Sequence, residues 1–214
     1  MASWTRAWTE RVVPRLADRS LSTAPVMRLR ARAVEGLQGR VLEIGFGSGL
    51  NTPLCPPAVT RVDAVEPSDV GWALSAGRRA RATVPVRRVG LDGQRLAADD
   101  ASYDAVLSTF TLCTIPDVAL ALEEVRRVLR PDGALHLLEH GLAPDPAVAR
   151  WQRRLDPVQR RVAAGCHLSR DVRALGAGAG FDAGGLTASY LPGPRMAHPW
   201  GYVYAGVARP VTAS

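Results

Sequence analysis

Apolar residues recur along this chain in two alternating periods. Short runs rich in β-branched side chains, "RVLEI" (40–44), "RVDAVEP" (61–67), "PVRRVGL" (85–91), "YDAVLSTF" (103–110) and "ALHLLEH" (134–140), predict five strands. The last is almost wholly apolar, as expected of a strand buried on both faces. Before and between them lie segments of helical period: 25–37, 69–84 and, most clearly, 117–130. In the last, Val118, Leu122, Val125 and Leu129 share one face, while Glu123, Glu124, Arg126 and Arg127 face away. "RPDG" is expected to end it, since Pro131 and Gly133 cannot continue a helix. Strand alternating with helix predicts an α/β domain with a doubly wound parallel sheet.

After residue 140 the rhythm changes. About thirty residues lack a strand pattern, and Val148, Trp151, Leu155, Val158 and Val162 form an apolar stripe interrupted at Asp156-Pro157. Two short helices meeting at a kink are expected there, followed by a third over 169–177. The stripe reads either as a lid over an apolar substrate or as a face packed on the sheet. Two final strands near 184–191 and 200–208 flank "PGPRMAHP" and predict a terminal hairpin that adds an antiparallel strand. At the other end, Trp4, Trp8 and Val12 fall one helical turn apart before Pro14. A terminal helix packed on its own domain is expected, with a membrane-surface helix as the competing reading. The chain thus reads as one domain over 1–214: N-terminal helices (1–38), a core (39–140), a helical insert or lid (141–180) and a C-terminal hairpin (181–214).

Composition narrows the class. The 214 residues carry a formal charge of +7, yet lysine is absent and all 27 basic residues are arginine. That reads as a compositional habit giving a basic soluble surface, and no nucleic-acid partner is expected. Cys55, Cys113 and Cys166 are scattered and odd in number, which argues against a disulfide framework or a zinc site and fits a reducing, cytoplasmic location. No apolar run reaches the ~18 residues that a membrane span needs, so no transmembrane segment is expected.

The most specific stretch is "VLEIGFGSGLN" (41–51). Glycines after a strand let backbone approach a ligand where a Cβ would clash. A dinucleotide fingerprint, G-x-G-x-x-G, would need glycine where Leu50 stands, and Pro53, Pro56 and Pro57 spoil the phosphate-facing helix. S-adenosylmethionine presents instead an ammonium, a sulfonium and a ribose diol. Glu43, just before the loop, can answer the ammonium directly or through water, and Glu66, 21 residues past Gly45, can accept both ribose hydroxyls. The loop therefore reads as built for a sulfonium nucleoside.

"VLEIGFGSG", "DAVEP", "GLDGQRL" and "LEEVRRVLRPDGALHLLEHG" resemble, in order over roughly residues 35–140, the motif series of class I S-adenosylmethionine-dependent methyltransferases. "WQRRLDPVQRRVAAGCHLSRD" and "HPWGYVYAGVA" look more specifically like the subfamily that includes alkyl-thiol S-methyltransferases. The resemblance implies a Rossmann-like methyltransferase sandwich. It places Gly45, Phe46, Gly47 and Gly49 along the methionine part of the cofactor, Glu66 on the ribose, and Pro67 beside the adenine. Asp92, with Gly93, would reach the adenine amino group, although a plain turn acid explains Asp92 equally well. Ser108 and Thr109 would floor the site beside the methyl. The implied acceptor is a small, apolar molecule with thiol sulfur favoured. An amine, a phenol or quinone, a lipid headgroup, or a silent cofactor-binding module are the alternatives.

Methyl transfer to an activated sulfonium carbon asks chiefly for orientation and exclusion of water, and needs no metal. A thiol acceptor has a pKa of about 8.5, so a modest base suffices. His140, ending the fifth strand at the edge where parallel sheets bind ligands, is the first candidate base, and His167 is the second. His136 reads as core. Cys113 reads as structural and Cys166 as inert.

Overall fold

The computed structural model describes residues 7–211. A π-helical turn, Trp8–Val12, leads into α1 (Val13–Leu21) and α2 (Ala24–Val34). There follow β1 (Gly39–Ile44), β2 (Val59–Val65), α3 (Asp69–Leu74), α4 (Ala76–Ala80), β3 (Val86–Gly90), β4 (Tyr103–Thr109), α5 (Val118–Val128) and β5 (Leu129–His140). The chain closes with α6 (Pro146–Val162), α7 (Val172–Gly178), β6 (Phe181–Asp182), β7 (Thr187–Tyr190), α8 (His198–Gly201) and β8 (Tyr202–Pro210).

The sheet runs β3-β2-β1-β4-β5-β8-β6, with β7 also on β8. The first five strands are parallel, and β8 lies antiparallel along β5, pairing Leu135 with Ala208 through His140 with Val203. The order reverses between β1 and β4, the switch point at which open α/β sheets leave a crevice beyond their strand ends. Strand alternation feeds two cores. Leu42, Ile44, Val106, Leu135 and Leu137 meet α5 on one face, and Val41, Val62, Ala64, Ala105 and Leu107 meet Val34, Leu37 and Phe46 on the other.

Three local expectations are corrected. The segment expected as one helix over 69–84 is broken at Ser75, whose buried hydroxyl donates to the Trp72 carbonyl and accepts from Arg79. Such back-bonding offers the chain an alternative to a continued helix. Strand β5 begins at Leu129, five residues before the expected start. Leu129 pairs with Tyr103 and Ala134 with Ala105, so "RPDG" bulges out of a strand it was expected to precede. And α6 is one 17-residue helix that carries Pro157 within it. Arg153 and Pro157 both lie on its exposed side, where a carbonyl deprived of its donor is not sealed from solvent.

The apolar stripe on α6 does not pack on the sheet. Trp151, Val158 and Val162 are about half exposed, while the buried face holds Ala149, Gln152 and Asp156. That polar face is stable inside because its groups are satisfied. Gln152 accepts from Ala143 N (2.9 Å) and donates to the carbonyls of Gly141 (2.9 Å) and Pro199 (3.2 Å). Asp156 accepts from Leu168 N (2.7 Å) and from Ser169. At the N-terminus, Trp8 donates its indole N–H to the Val162 carbonyl (2.8 Å), which fits the packed terminal helix; Trp4 lies outside the described residues. Among the described residues no helix is long and apolar enough to cross a membrane.

Leu122, fully buried at the centre of α5, should lose about 2–4 kcal/mol of stability when replaced by alanine. Leu120→Ala, on the exposed side of the same helix, should lie within about 0.5 kcal/mol of the parent. Urea denaturation followed by circular dichroism would check both, and equal midpoints would contradict the packing.

Candidate cofactor cleft

A cleft of about 1060 Å³ opens beyond the ends of β1, β2 and β4, at the switch point of the sheet. Gly45, Phe46 and Gly47 form its back; Glu66 and Pro67 one side; Asp92 and Gly93 a second; Thr109, Phe110 and Thr111 its floor. Of the eleven residues expected to hold a cofactor, eight are among these ten, Phe110 and Thr111 being the additions. Residues of the N-terminal helices, among them Pro14, Ala17 and Leu21, form the facing wall. The expected lid from 141–180 contributes Ala164 alone, so the first helices occupy the place that the sequence reading gave to the helical insert.

The back of the cleft depends on close packing. Gly45 has φ +69°, and a Cβ there would lie 2.1 Å from Thr111 Oγ1, so no side chain fits between the loop and the β4–α5 connection. Glu66 braces the loop from the other side. Its Oε2 accepts from Gly47 N at 2.5 Å and its Oε1 from Ser68 N at 2.7 Å. Burial raises its pKa, and those two backbone donors oppose the rise. Each carboxylate oxygen has a second lone pair available to a diol.

Three expected contacts are corrected. Gly49 does not line the cleft; its φ of +74° turns the chain, and a Cβ would press on the Phe46 ring at 3.1 Å. Ser108 is buried beneath the floor, where its hydroxyl donates to Glu139 Oε1 at 2.8 Å. Glu43 is sealed behind the loop and accepts from Asn51 Nδ2 at 2.8 Å. Burial, offset by Asn51 and Arg30, raises Glu43 to about 7. From there it meets the cleft only through a relay. Asn51 Nδ2 also donates to Thr109 Oγ1 (2.9 Å), and Arg30 Nη1 donates to both Thr109 Oγ1 (2.7 Å) and Asn51 Oδ1 (2.9 Å). Burial lowers Arg30 to about 10, against the pull of Glu43 and Glu139.

The residue least expected is Glu139. It is fully buried and gathers Thr111 N on both oxygens (2.9 Å each), Leu112 N (3.1 Å) and the Ser108 hydroxyl. These contacts hold Phe110 at φ +55°, a left-handed conformation uncommon for a bulky side chain, at the cleft floor. The signals were present in sequence as charges on apolar faces: Glu139 in a strand read as buried, and Arg30 one turn after Val26. Neither candidate base reaches the cleft. His140 is buried with Nε2 at 3.4 Å from Cys166 Sγ, and His167 Nδ1 sits 3.2 Å from Asp156 Oδ2.

Comparison with known proteins agrees with this geometry. Residues 42–137, from within β1 to the buried part of β5, match the family model of the methyltransferase domain. Residues 42–137 are thus similar to a methyltransferase domain. The chain is 33% identical over 137 residues to the thiol S-methyltransferase TMT1B of Rattus norvegicus, covering 61% of this chain and 55% of that protein. It is 30% identical over 131 residues to the phosphatidylethanolamine N-methyltransferase of Cereibacter sphaeroides, covering 56% and 59%. The chain thus spans somewhat over half the length of these relatives. A SAM-dependent methyltransferase of Thermotoga maritima, a possible histamine N-methyltransferase, shares the fold at TM-score 0.64 and 21% identity, over 95% of this chain and 98% of that one.

The cleft suits an adenosyl sulfonium: a backbone cradle at Gly47, where a Cβ would stand in open space with no heavy atom nearer than 3.9 Å, an acid presented by the next strand, and volume ample for a nucleoside. Glu139→Ala should strand three buried donors and lower stability by about 3 kcal/mol or more, read from thermal and urea unfolding. Glu43 supplies a pH test. With its folded pKa raised above the unfolded value of 4.5 to about 7, the native state holds the extra proton between those values. Its contribution is complete below pH 4.5 and is lost as pH rises through 7, so Glu43→Gln should flatten that decline. An unchanged stability–pH profile would contradict the assignment.

Proposed function

We propose that this chain transfers the methyl group of S-adenosylmethionine to the sulfur of a small, apolar thiol. The observation that carries methyl transfer is the Gly45–Gly47 cradle clasped by Glu66 at the end of the neighbouring strand, within a domain that matches the methyltransferase family. The choice of sulfur rests on the likeness to the thiol S-methyltransferase. The cofactor supplies, when bound, a methyl carbon already activated by the sulfonium charge. The protein's share is then orientation and dryness, which can contribute ~7–11 kcal/mol in favourable cases.

In this reading Glu66 holds the ribose diol while its two backbone bonds fix the carboxylate plane. Asp92 and Gly93 border the adenine with Pro67, and Gly45, Phe46 and Gly47 lie along the methionine portion. Thr109, held by Arg30 and Asn51, presents a hydroxyl whose orientation is settled before any ligand arrives. Phe110, Ile115 and Leu21 supply apolar wall for an apolar acceptor and keep water from the transfer path. The buried Arg30 guanidinium borders the same cleft, and a positive group there favours the thiolate form of an acceptor. With both candidate histidines outside the cleft, the acceptor loses its proton to solvent, helped by that field. A second reading, methylation of an amine-bearing lipid headgroup, is favoured by the Cereibacter relative alone.

Purified protein given S-adenosylmethionine and a panel of thiols, amines and phenols should release S-adenosylhomocysteine with thiols. Release with amines alone would replace the acceptor, and silence with every class would remove the activity. Glu66→Ala should weaken S-adenosylmethionine binding in calorimetry by at least about tenfold, the worth of one charge-assisted hydrogen bond, while leaving the fold intact. Unchanged affinity would discard its ribose role.

A further inference from the structure

The fold brings together three soft donors that the sequence keeps 26 or more residues apart. Cys113 lies in the connection after β4, His140 ends β5, and Cys166 lies in the loop after α6. Cys166 Sγ stands 3.5 Å from Cys113 Sγ and 3.4 Å from His140 Nε2, and all three ligand atoms fall within 4.8 Å of one another. Cys113 and His140 are buried and Cys166 is half-buried. None of the three lines the cofactor cleft.

Tetrahedral zinc, with Zn–S near 2.3 Å and Zn–N near 2.0–2.1 Å, places its ligand sulfurs about 3.8 Å apart and sulfur and nitrogen about 3.6 Å apart. The two separations from Cys166 Sγ are within a few tenths of an ångström of these values. A disulfide would draw the sulfurs to about 2.05 Å and would give the imidazole no part, whereas here the ring nitrogen converges on the same point as the sulfurs. We propose that Cys113, His140 and Cys166 form a binding site for one borderline-soft divalent cation of the zinc class, ligated by two thiolates and one imidazole.

Two thiolates and a neutral imidazole cancel the charge of a dication, which suits a buried site. The three protein ligands leave one coordination position over. The ion would join two segments that flank the cofactor cleft. Thr114 is next to Cys113, Ala164 is two residues from Cys166, and both line that cleft. A backbone bond already runs between the segments, from His167 N to the Cys113 carbonyl at 2.8 Å. The cation would extend that tie to the end of β5, a positioning role for the wall beside the acceptor.

The full chain, reduced with a phosphine and stripped with a chelator, is titrated with Co²⁺. One cobalt per chain is expected, with thiolate-to-cobalt charge-transfer absorption and intense tetrahedral d–d bands, both bleached by one equivalent of Zn²⁺. Cys113→Ser and Cys166→Ser should each abolish the charge-transfer bands, and His140→Gln should weaken binding at least about tenfold, whereas Cys55→Ser should keep the full spectrum. Circular dichroism selects variants that fold, and His140→Gln with Cys166→Ser carry the test if Cys113→Ser does not. Absence of the bands in the reduced parent would overturn the proposal. So would their persistence in the cysteine variants, or a native disulfide whose reduction brings no cobalt uptake. The readout is spectral, so its outcome stands apart from whether methyl transfer is found.

Discussion

One buried carboxylate sets the floor of this molecule. Glu139 sits where β5 passes beneath the connection leaving β4, and it answers two backbone donors and a hydroxyl that would otherwise be orphaned. Backbone polar groups in a dry interior must be paired, and a connection that turns through a left-handed phenylalanine cannot pair its own. The acid thus lets the chain make that turn. Thr111 then reaches the Gly45 loop and leaves room there for a glycine and nothing larger. The shape of the cleft follows from a charge that never meets the ligand.

The same economy recurs at Arg30 and Asn51. A guanidinium buried in α2, an amide at the end of the glycine loop and a threonine hydroxyl at the end of β4 close a hydrogen-bonded ring, with Glu43 behind it. Opposed charges and full satisfaction make such burial tolerable, and removing one member leaves the others costly. Three separate elements therefore share one fixed corner. Rigid support around a small number of exposed groups is what an orientation-dependent reaction asks of its protein.

The sheet was legible because its core strands are short and branched, and segments of helical period precede β1 and follow β2 and β4. The cofactor cleft was legible because its glycines and Glu66 lie in consecutive segments with fixed spacing. Glu43, Gly49 and Ser108 were misplaced for a single reason: residues next to a ligand-facing position point the other way along a strand or turn. Of their partners, Glu139 emerges only when distant strands meet, while Asn51 and Phe46 are brought back by the turn of the glycine loop itself. Helix α6 misled more deeply. Periodicity reports which side chains share a face, and Gln152 and Asp156 show that a satisfied polar face can be the one turned inward. The cysteine–histidine cluster was invisible by spacing, since each member comes from a different loop or strand end.

The facing wall of the cleft has its own energetics. It is built from the π-helical turn and α1, in which no described residue is fully buried, and it is held by Asp18 to Ser48 and Arg78 and by the Trp8 indole on α6. None of it belongs to the sheet. Its attachment combines those polar contacts with the half-buried side chains of Val13, Pro14, Ala17 and Leu21, none of which adds to the pairing of the sheet. What closes the cleft on that side thus lies outside the cooperative unit that shapes its back and floor.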